Sequence, residues 1–268
     1  MESDKKRFHD HSHAREYDRK AAGSDFRVRL TPMLLEALEI RGPEWVLDLA
    51  AGTGRFARPV ANHLKGGRVV GLDEALAMLR VALEQNEKEP IPGFLPAAGA
   101  AETFPFRAGV FDRAFTALAL HHFGHPSLIL REVRRVLKPG GSFVIVDPVV
   151  PSAQDSLDKA VHELINEIFR HGHGEPFHYY STADIEGLLK GAGFRAIRSN
   201  LYVMSVDQDG VEGVPTGRHW LEVAEQIQQA APEMRRRFEE KYFRYEKRDE
   251  IVHVRGNFTL ALVSGRNQ

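Results

Sequence analysis

The sequence contains no cysteine, so disulfides, thiolate metal sites and a cysteine nucleophile are excluded from its chemistry. It has no run of about 18 apolar residues, the minimum for a membrane-spanning helix. Its opening stretch, MESDKKRFHDHSHAREYD, is too polar to read as a signal peptide. With neither feature present, a cytoplasmic location is the default expectation. An excess of charge is missing too, since 36 Lys and Arg stand against 37 Asp and Glu. Proteins that bind nucleic acid generally do so by neutralising phosphates with a basic face, so no nucleic-acid partner is expected.

What is present suits a folded enzyme-sized domain. The 268 residues are 43% apolar and 27% charged, ordinary for a globular protein. A chain of this length buries roughly three quarters of its unfolded surface and needs no metal staple. Residues 1–25 are charged and His-rich without a clear period and read as an N-terminal arm, mobile or conditionally ordered. Thr31-Pro32 is a helix-start signal, followed by Leu34, Leu35 and Leu38 on one side. From there to Asp147 the chain alternates strands (Trp45–Leu49, Arg68–Asp73, Phe94–Ala98, Phe111–Leu118, Ser142–Asp147) with helical spacings such as Ile129, Val133, Val136. That alternation predicts a parallel sheet with helices on both faces. Pro96 makes the third strand an edge candidate, and Pro59 is tolerable only in a first turn or at a kink. Beyond Pro148 the rhythm changes. A helix and a His/aromatic loop fill 151–180, Ser181 caps another helix, Phe194–Val206 is a strand, Arg218–Glu250 is largely helical, and Ile251–Val263 is the last strand.

Three features stand in register. A strand runs into Leu47-Asp48-Leu49-Ala50-Ala51-Gly52-Thr53-Gly54, a helix follows, and the next strand ends at Asp73. Glycines let the backbone pass close to a ligand, and a helix N-terminus offers free N–H groups. A carboxylate at the adjacent strand tip can accept two hydrogen bonds from ribose hydroxyls. Together these describe the nucleoside-binding crevice of a doubly wound sheet. The dinucleotide pattern G-x-G-x-x-G is broken at Ala57, and a helix precedes the first strand, so a nicotinamide cofactor is not expected.

These residues resemble the class I S-adenosylmethionine-dependent methyltransferases. Leu47–Gly54 is similar to their motif I, and Val70-Gly71-Leu72-Asp73 to the acidic end of their second strand. Ala101-Glu102-Thr103-Phe104-Pro105-Phe106 with Phe111-Asp112, Leu118–Phe123, and Val136–Gly141 resemble the ubiquinone/menaquinone-type small-molecule branch, and Glu16-Tyr17-Asp18 resembles its arm element. The resemblance implies an α/β, Rossmann-like, doubly wound, mostly parallel seven-stranded sheet whose last strand is antiparallel, with helical cap insertions. The domain would span 26–268, with acceptor-cap insertions at about 149–182 and 207–250. It implies S-adenosyl-L-methionine as cofactor, held by Tyr17, Asp48, Ala50, Gly52, Gly54, Asp73, Ala101, Glu102 and Leu118. Asp48, Gly52 and Gly54 would shape the methionine end and Asp73 would hold the ribose. Ala100 stands where the family usually places an acid for adenine, leaving that role to Glu102 or to backbone.

Methyl transfer to oxygen or carbon also needs a proton removed, and histidine is the commonest side chain for that. The candidates are His121, His122 and His173, as bases or as pocket lining. His171, His173 and His178 have ligand-like spacing, but without cysteine or a carboxylate partner no metal is expected. His9, His11 and His13 read as solvent-exposed. Aromatics concentrated after residue 150 favour a small, apolar or aromatic acceptor. The acceptor's identity stays open, as does a homodimer. A non-catalytic nucleoside-binding module remains the alternative to an enzyme, because fold does not fix function.

Overall fold

The computed structural model describes residues 8–22, 25–174, 176–248 and 251–268. Helix α1 (His11–Ala22) and helix α2 (Asp25–Leu38) lead into strand β1 (Trp45–Leu49) and helix α3 (Ala57–His63). Strand β2 (Arg68–Asp73), helix α4 (Leu76–Lys88), strand β3 (Phe94–Ala98) and strand β4 (Phe111–Ala117) follow. A 3-10 turn (Leu120–His122), helix α5 (Pro126–Val136) and strand β5 (Leu137–Val150) complete the alternating part. Next come helix α6 (Ser156–His173), the two-residue strand β6 (Tyr180–Ser181), helix α7 (Thr182–Gly191) and strand β7 (Arg195–Asp209). Helices α8 (Gly217–Ile227) and α9 (Pro232–Lys241) and strands β8 (Phe243–Arg248) and β9 (Ile251–Arg266) end the chain.

The main path of the sheet runs β3-β2-β1-β4-β5-β9-β7. The first five strands are parallel, and β9 is antiparallel to both β5 and β7. This is the expected seven-strand path with an antiparallel last strand. Beyond it, β6 pairs with the end of β5, and β8 pairs with β9. Strand order reverses between β1 and β4, which places a crevice outside their carboxyl ends. Period-two alternation feeds two cores: Val46, Val69 and Val144 point into one layer, Leu47, Val70 and Phe143 into the other.

Several local expectations change for physical reasons. The first core helix does not start at Thr31. It runs from Asp25, with Pro32 inside it. Leu30, Leu34 and Leu38 recur at i, i+4, i+8 and are fully buried, which offsets the roughly 3 kcal/mol an interior proline costs. Pro59 is the third residue of α3, where its missing N–H is one of the unpaired donors of a first turn. Pro96 lies on β3, which is indeed a sheet edge. Ser181 and Asp184 form a complete capping box. Arg218–Glu250 is not one helical stretch. It breaks at Ala231-Pro232, and Phe243–Arg248 becomes a strand paired to β9 in the register Phe243↔Gly256 to Arg248↔Ile251. The end strands also run longer than their apolar cores, because β7 and β9 pair with each other as far as Asp209↔His253.

Within residues 1–25, residues 11–22 form α1, packed on α4 through Ala14, Ala77 and Val81. Residues 8–10 turn the chain into α1 and Asp25 opens α2, while residues 1–7 and 23–24 lie outside the described residues. Helices α6, α8 and α9 pack over the carboxyl end of the sheet with Ile165, Phe169, Trp220, Val223 and Phe238 buried between them.

Candidate active site

A cleft of about 1210 Å³ lies outside the carboxyl ends of β1, β2, β4 and β5. At its floor the β1–α3 turn winds through Ala50 (φ 59°), Gly52 (φ 55°) and Gly54 (φ 76°). The tip of β4 has a second non-glycine residue in the left-handed region, Leu118 (φ 58°). Two such residues on neighbouring strand tips are strained backbone, each costing about 1–3 kcal/mol. They sit at the switch point, facing the cleft.

The two carboxylates at this end behave differently. Asp73 accepts from the Gly52 N–H (2.7 Å) and the Ala75 N–H (2.8 Å), so it fixes the turn as well as facing the cleft. Burial raises its pKa, and those two backbone donors oppose the rise. Asp48 is 2% exposed, and its Oδ2 has no hydrogen-bond partner among the described residues. Burial, and secondarily the neighbouring Asp73 charge, push its pKa well up. An orphaned, buried carboxylate oxygen on the cleft wall is a ready partner for an ammonium group.

Helix α1 closes one side. Asp18 is nearly buried and accepts from Thr53 Oγ1 (2.7 Å), Arg55 Nε (2.9 Å) and Gln85 Nε2 (3.0 Å), while Arg55 also donates to the Asp18 carbonyl. Arg15 binds Glu84 with two hydrogen bonds, and His11 Nε2 lies 3.0 Å from the same carboxylate. The clasp brings Phe8 and Tyr17 over the cleft, Phe8 edge-on to Tyr17 and to His122.

The opposite end is built by side chains. His121 follows β4, and its Nδ1 lies 2.5 Å from Asp147 Oδ1, while its backbone N–H donates to Asp147 Oδ2 at 3.0 Å. Asp147, 1% exposed, comes from β5, which pairs with β4 through Ala117↔Val146. A carboxylate only accepts, so Nδ1 carries the proton and Nε2 is the free nitrogen. His122 lies 4.2 Å from His121, ring to ring, and 5.8 Å from His173. Burial, then the nearby His219 and His121, push the His173 pKa down to about 3, so it is a poor proton acceptor. Phe177, Tyr179, Met204 and Phe258 line the rest.

Of the residues expected from sequence, Tyr17, Asp48, Ala50, Gly52, Asp73, Ala101, Glu102, Leu118, His121, His122 and His173 all face this one cleft. Gly54 does not line it. A Cβ there would meet Phe94 Cζ at 2.9 Å and Ala82 Cβ at 3.5 Å, so this glycine serves the packing of α3 against β3 and α4. His171 and His178 also lie outside the cleft lining. His171 bonds the Glu167 carbonyl on the exposed side of α6, and the His178 N–H donates to the His121 carbonyl. His9 and His13 contribute to the cleft wall, and His11 Nε2 lies 3.0 Å from Glu84 Oε1, so the arm histidines are not simply solvated. Among the described residues no three His, Asp or Glu are grouped to hold a metal, and no helix is long and apolar enough to cross a membrane. Sequence reasoning missed Asp147, His219 and the Asp18–Arg55 clasp. Asp147 had a signal as a polar residue ending an apolar strand, and Asp18 as the last residue of the arm element, whereas His219 had none.

Comparison with known proteins agrees with this geometry. Residues 47–145 match the family described as "Methyltransferase domain". An uncharacterized methyltransferase of Synechocystis is 35% identical over 182 residues, 67% of this chain and 79% of that protein. A demethylmenaquinone methyltransferase of Paenarthrobacter aurescens is 37% identical over 122 residues, 44% of this chain and 46% of the relative; the chain thus spans about half the length of that curated relative. The crystal structure of the Bacillus subtilis YcgJ protein superposes with a TM-score of 0.69 at 21% identity, covering 88% of this chain and 97% of that one. By its strand order, its motif I turn and these relatives, the chain belongs to the class I S-adenosylmethionine-dependent methyltransferases.

Proposed function

We propose that the protein methylates an oxygen or carbon atom of a small, apolar or aromatic molecule, with S-adenosylmethionine as the methyl donor. The observation that carries the reading is the single cleft joining the orphaned Asp48 carboxylate to the His121–Asp147 pair. In this reading Asp73 receives the ribose hydroxyls, and Asp48 meets the ammonium of the methionine end. Gly52, Ala50 and Leu118 offer backbone, Ala101 and Glu102 flank the adenine, and Tyr17 roofs the site from α1. When bound, the cofactor supplies an electrophilic methyl on a sulfonium.

The protein's part is alignment, worth about 7–11 kcal/mol when reacting groups are well oriented, and proton removal. His121 accepts the proton at Nε2, and the Asp147 carboxylate across the ring stabilises the cation that forms. His122 and His173 line the acceptor end. The near balance of charge over the chain and the aromatic lining favour a small molecule over nucleic acid.

The test is a thermal melt with S-adenosylmethionine, S-adenosylhomocysteine and NAD, followed by a methyl-label assay against a panel of phenols and enols. Ligand at about 100 times its Kd adds roughly 2.7 kcal/mol, a rise of about 5–10 °C for a domain of this size. Shifts with the first two ligands and labelled product support the proposal. No shift overturns it, and a shift with no transfer to any acceptor leaves a binding module.

A further inference from the structure

Three polar side chains that line the cleft direct their donors back into the protein. Gln208 Nε2 donates to the carbonyls of Gly210 (3.2 Å) and Glu212 (2.7 Å). Ser205 Oγ donates to Asn257 Oδ1 (3.1 Å), and Thr216 Oγ1 to the Pro215 carbonyl (2.7 Å). All three residues line the cleft alongside Met204, Phe258 and Phe177.

The imidazoles there present lone pairs. His173 occupies the last turn of α6, stacked on Phe169 at 5.6 Å, with Nδ1 3.2 Å from the Phe169 carbonyl oxygen. A carbonyl can only accept, so Nδ1 bears the hydrogen and Nε2 the lone pair. Its low proton affinity among these aromatic rings keeps it neutral at physiological pH. His121 is held in the same tautomer by Asp147. The two rings flank Phe177, at 5.2 Å for His121 and 4.8 Å for His173, and both adjoin His122.

We infer that His173 is a specificity-determining residue whose Nε2 accepts a hydrogen bond from a second hydroxyl or N–H of the methyl acceptor. The acceptor class is then a flat, apolar molecule with two donors, one directed at His121 and one at His173. A ligand with only acceptors would leave both nitrogens unpaired in a desolvated site, and such sites reject the analogue lacking the donor.

This rests on the methyltransferase reading, and the experiment separates the two. Protein saturated with S-adenosylhomocysteine is titrated calorimetrically with 2-naphthol and with the 2,3-, 1,5- and 2,7-dihydroxynaphthalenes, which vary the spacing of two donors on one flat body. At least one diol is expected to bind about tenfold tighter than 2-naphthol, the scale of one net hydrogen bond. His173→Phe, which keeps the stack but removes the lone pair, is expected to bring the diol and 2-naphthol affinities level with each other. His173→Gln, which retains an acceptor, is expected to restore part of the diol preference. The inference is overturned if the wild type prefers no diol, or if a His173→Phe protein with intact S-adenosylhomocysteine affinity keeps the preference. The wild-type titrations and the Gln variant decide the matter even where the Phe variant does not fold. Failure to bind S-adenosylhomocysteine at all would instead strike the methyltransferase reading.

Discussion

At one end of the cleft, backbone N–H groups and two carboxylates come from a single stretch, residues 48–75, whose turn is held by Asp73 bonding Gly52 and Ala75. At the other end, His121, Asp147, His173, Phe177 and Gln208 arrive from separate segments and meet only because β4, β5, α6 and the paired strands β7 and β9 pack together. The first end is a local structure that any chain of this pattern makes. The second is assembled, and its chemistry depends on partners far apart in sequence. A substitution at the first end should therefore act on cofactor affinity, and one at the second on the fate of the acceptor.

The largest expected effect tests the assembled end. His121→Ala should lower the methyl-transfer rate about 10²- to 10⁴-fold, the usual contribution of a positioned base, with S-adenosylhomocysteine affinity unchanged by calorimetry. A matched loss of cofactor affinity would mean the two ends are not separable. At the local end, Asp73→Ala should weaken S-adenosylhomocysteine binding by about 1.5–3 kcal/mol, the scale of charge-assisted hydrogen bonds. Unchanged affinity in a folded variant would remove Asp73 from the cofactor site.

Asp48→Asn should separate stability from binding. Because burial raises the native pKa of Asp48, the native state holds its proton to higher pH than the unfolded chain does. Its contribution therefore turns unfavourable as pH rises above the ordinary carboxylate value of about 4. Asparagine removes that penalty. The ligand-free variant should melt a few degrees higher than wild type at pH 7.5, by about 1–2 kcal/mol, while binding S-adenosylhomocysteine about tenfold more weakly. A lower melting temperature would show that the orphaned carboxylate costs nothing.

The smallest effect concerns the scaffold behind the assembled end. Asp158, at the start of α6, is bound by Arg237 (2.6 Å) and Lys241 (2.6 Å) of α9 and by the Gln154 N–H. Burial opposes the carboxylate form, but these partners outweigh it and hold the pKa far below the usual range. A depressed native pKa gives stability that is present above the unfolded value near 4 and is lost as pH falls below it. The carboxylate is buried, but both cations are about a quarter exposed to solvent, so screening keeps the contribution modest. Melts at pH 3 and pH 6 should show Asp158→Asn less stable than wild type at pH 6, with the gap narrowing at pH 3. An equal gap at both would assign the loss to packing.

How much was legible in the sequence follows the same division. The strand–turn–helix at Leu47–Gly54, the carboxylate at Asp73 and the break at Lys138–Gly141 are short-range patterns, and the family resemblance rested on them. Gly54 shows the limit even there. Sequence marks it as a turn glycine, but its pressing neighbour is Phe94, forty residues on in the chain. The helix over Asp25–Leu38 escaped because Pro32 reads as a start, and only burial of Leu30 against the sheet makes an interior proline tolerable. Phe243–Arg248 carries enough charge to look helical until β9 supplies the ladder.

The sequence by itself determined the alternation of strand and helix, the glycine turn and the acidic strand tip, because each depends on residues a few positions apart and on local backbone sterics. Tertiary structure alone decided that Asp147 stands behind His121, that α1 is clasped through Asp18, and that a neutral His173 faces the same cleft. Those relations rest on strand order and desolvation, which arise only when distant segments exclude water from one another.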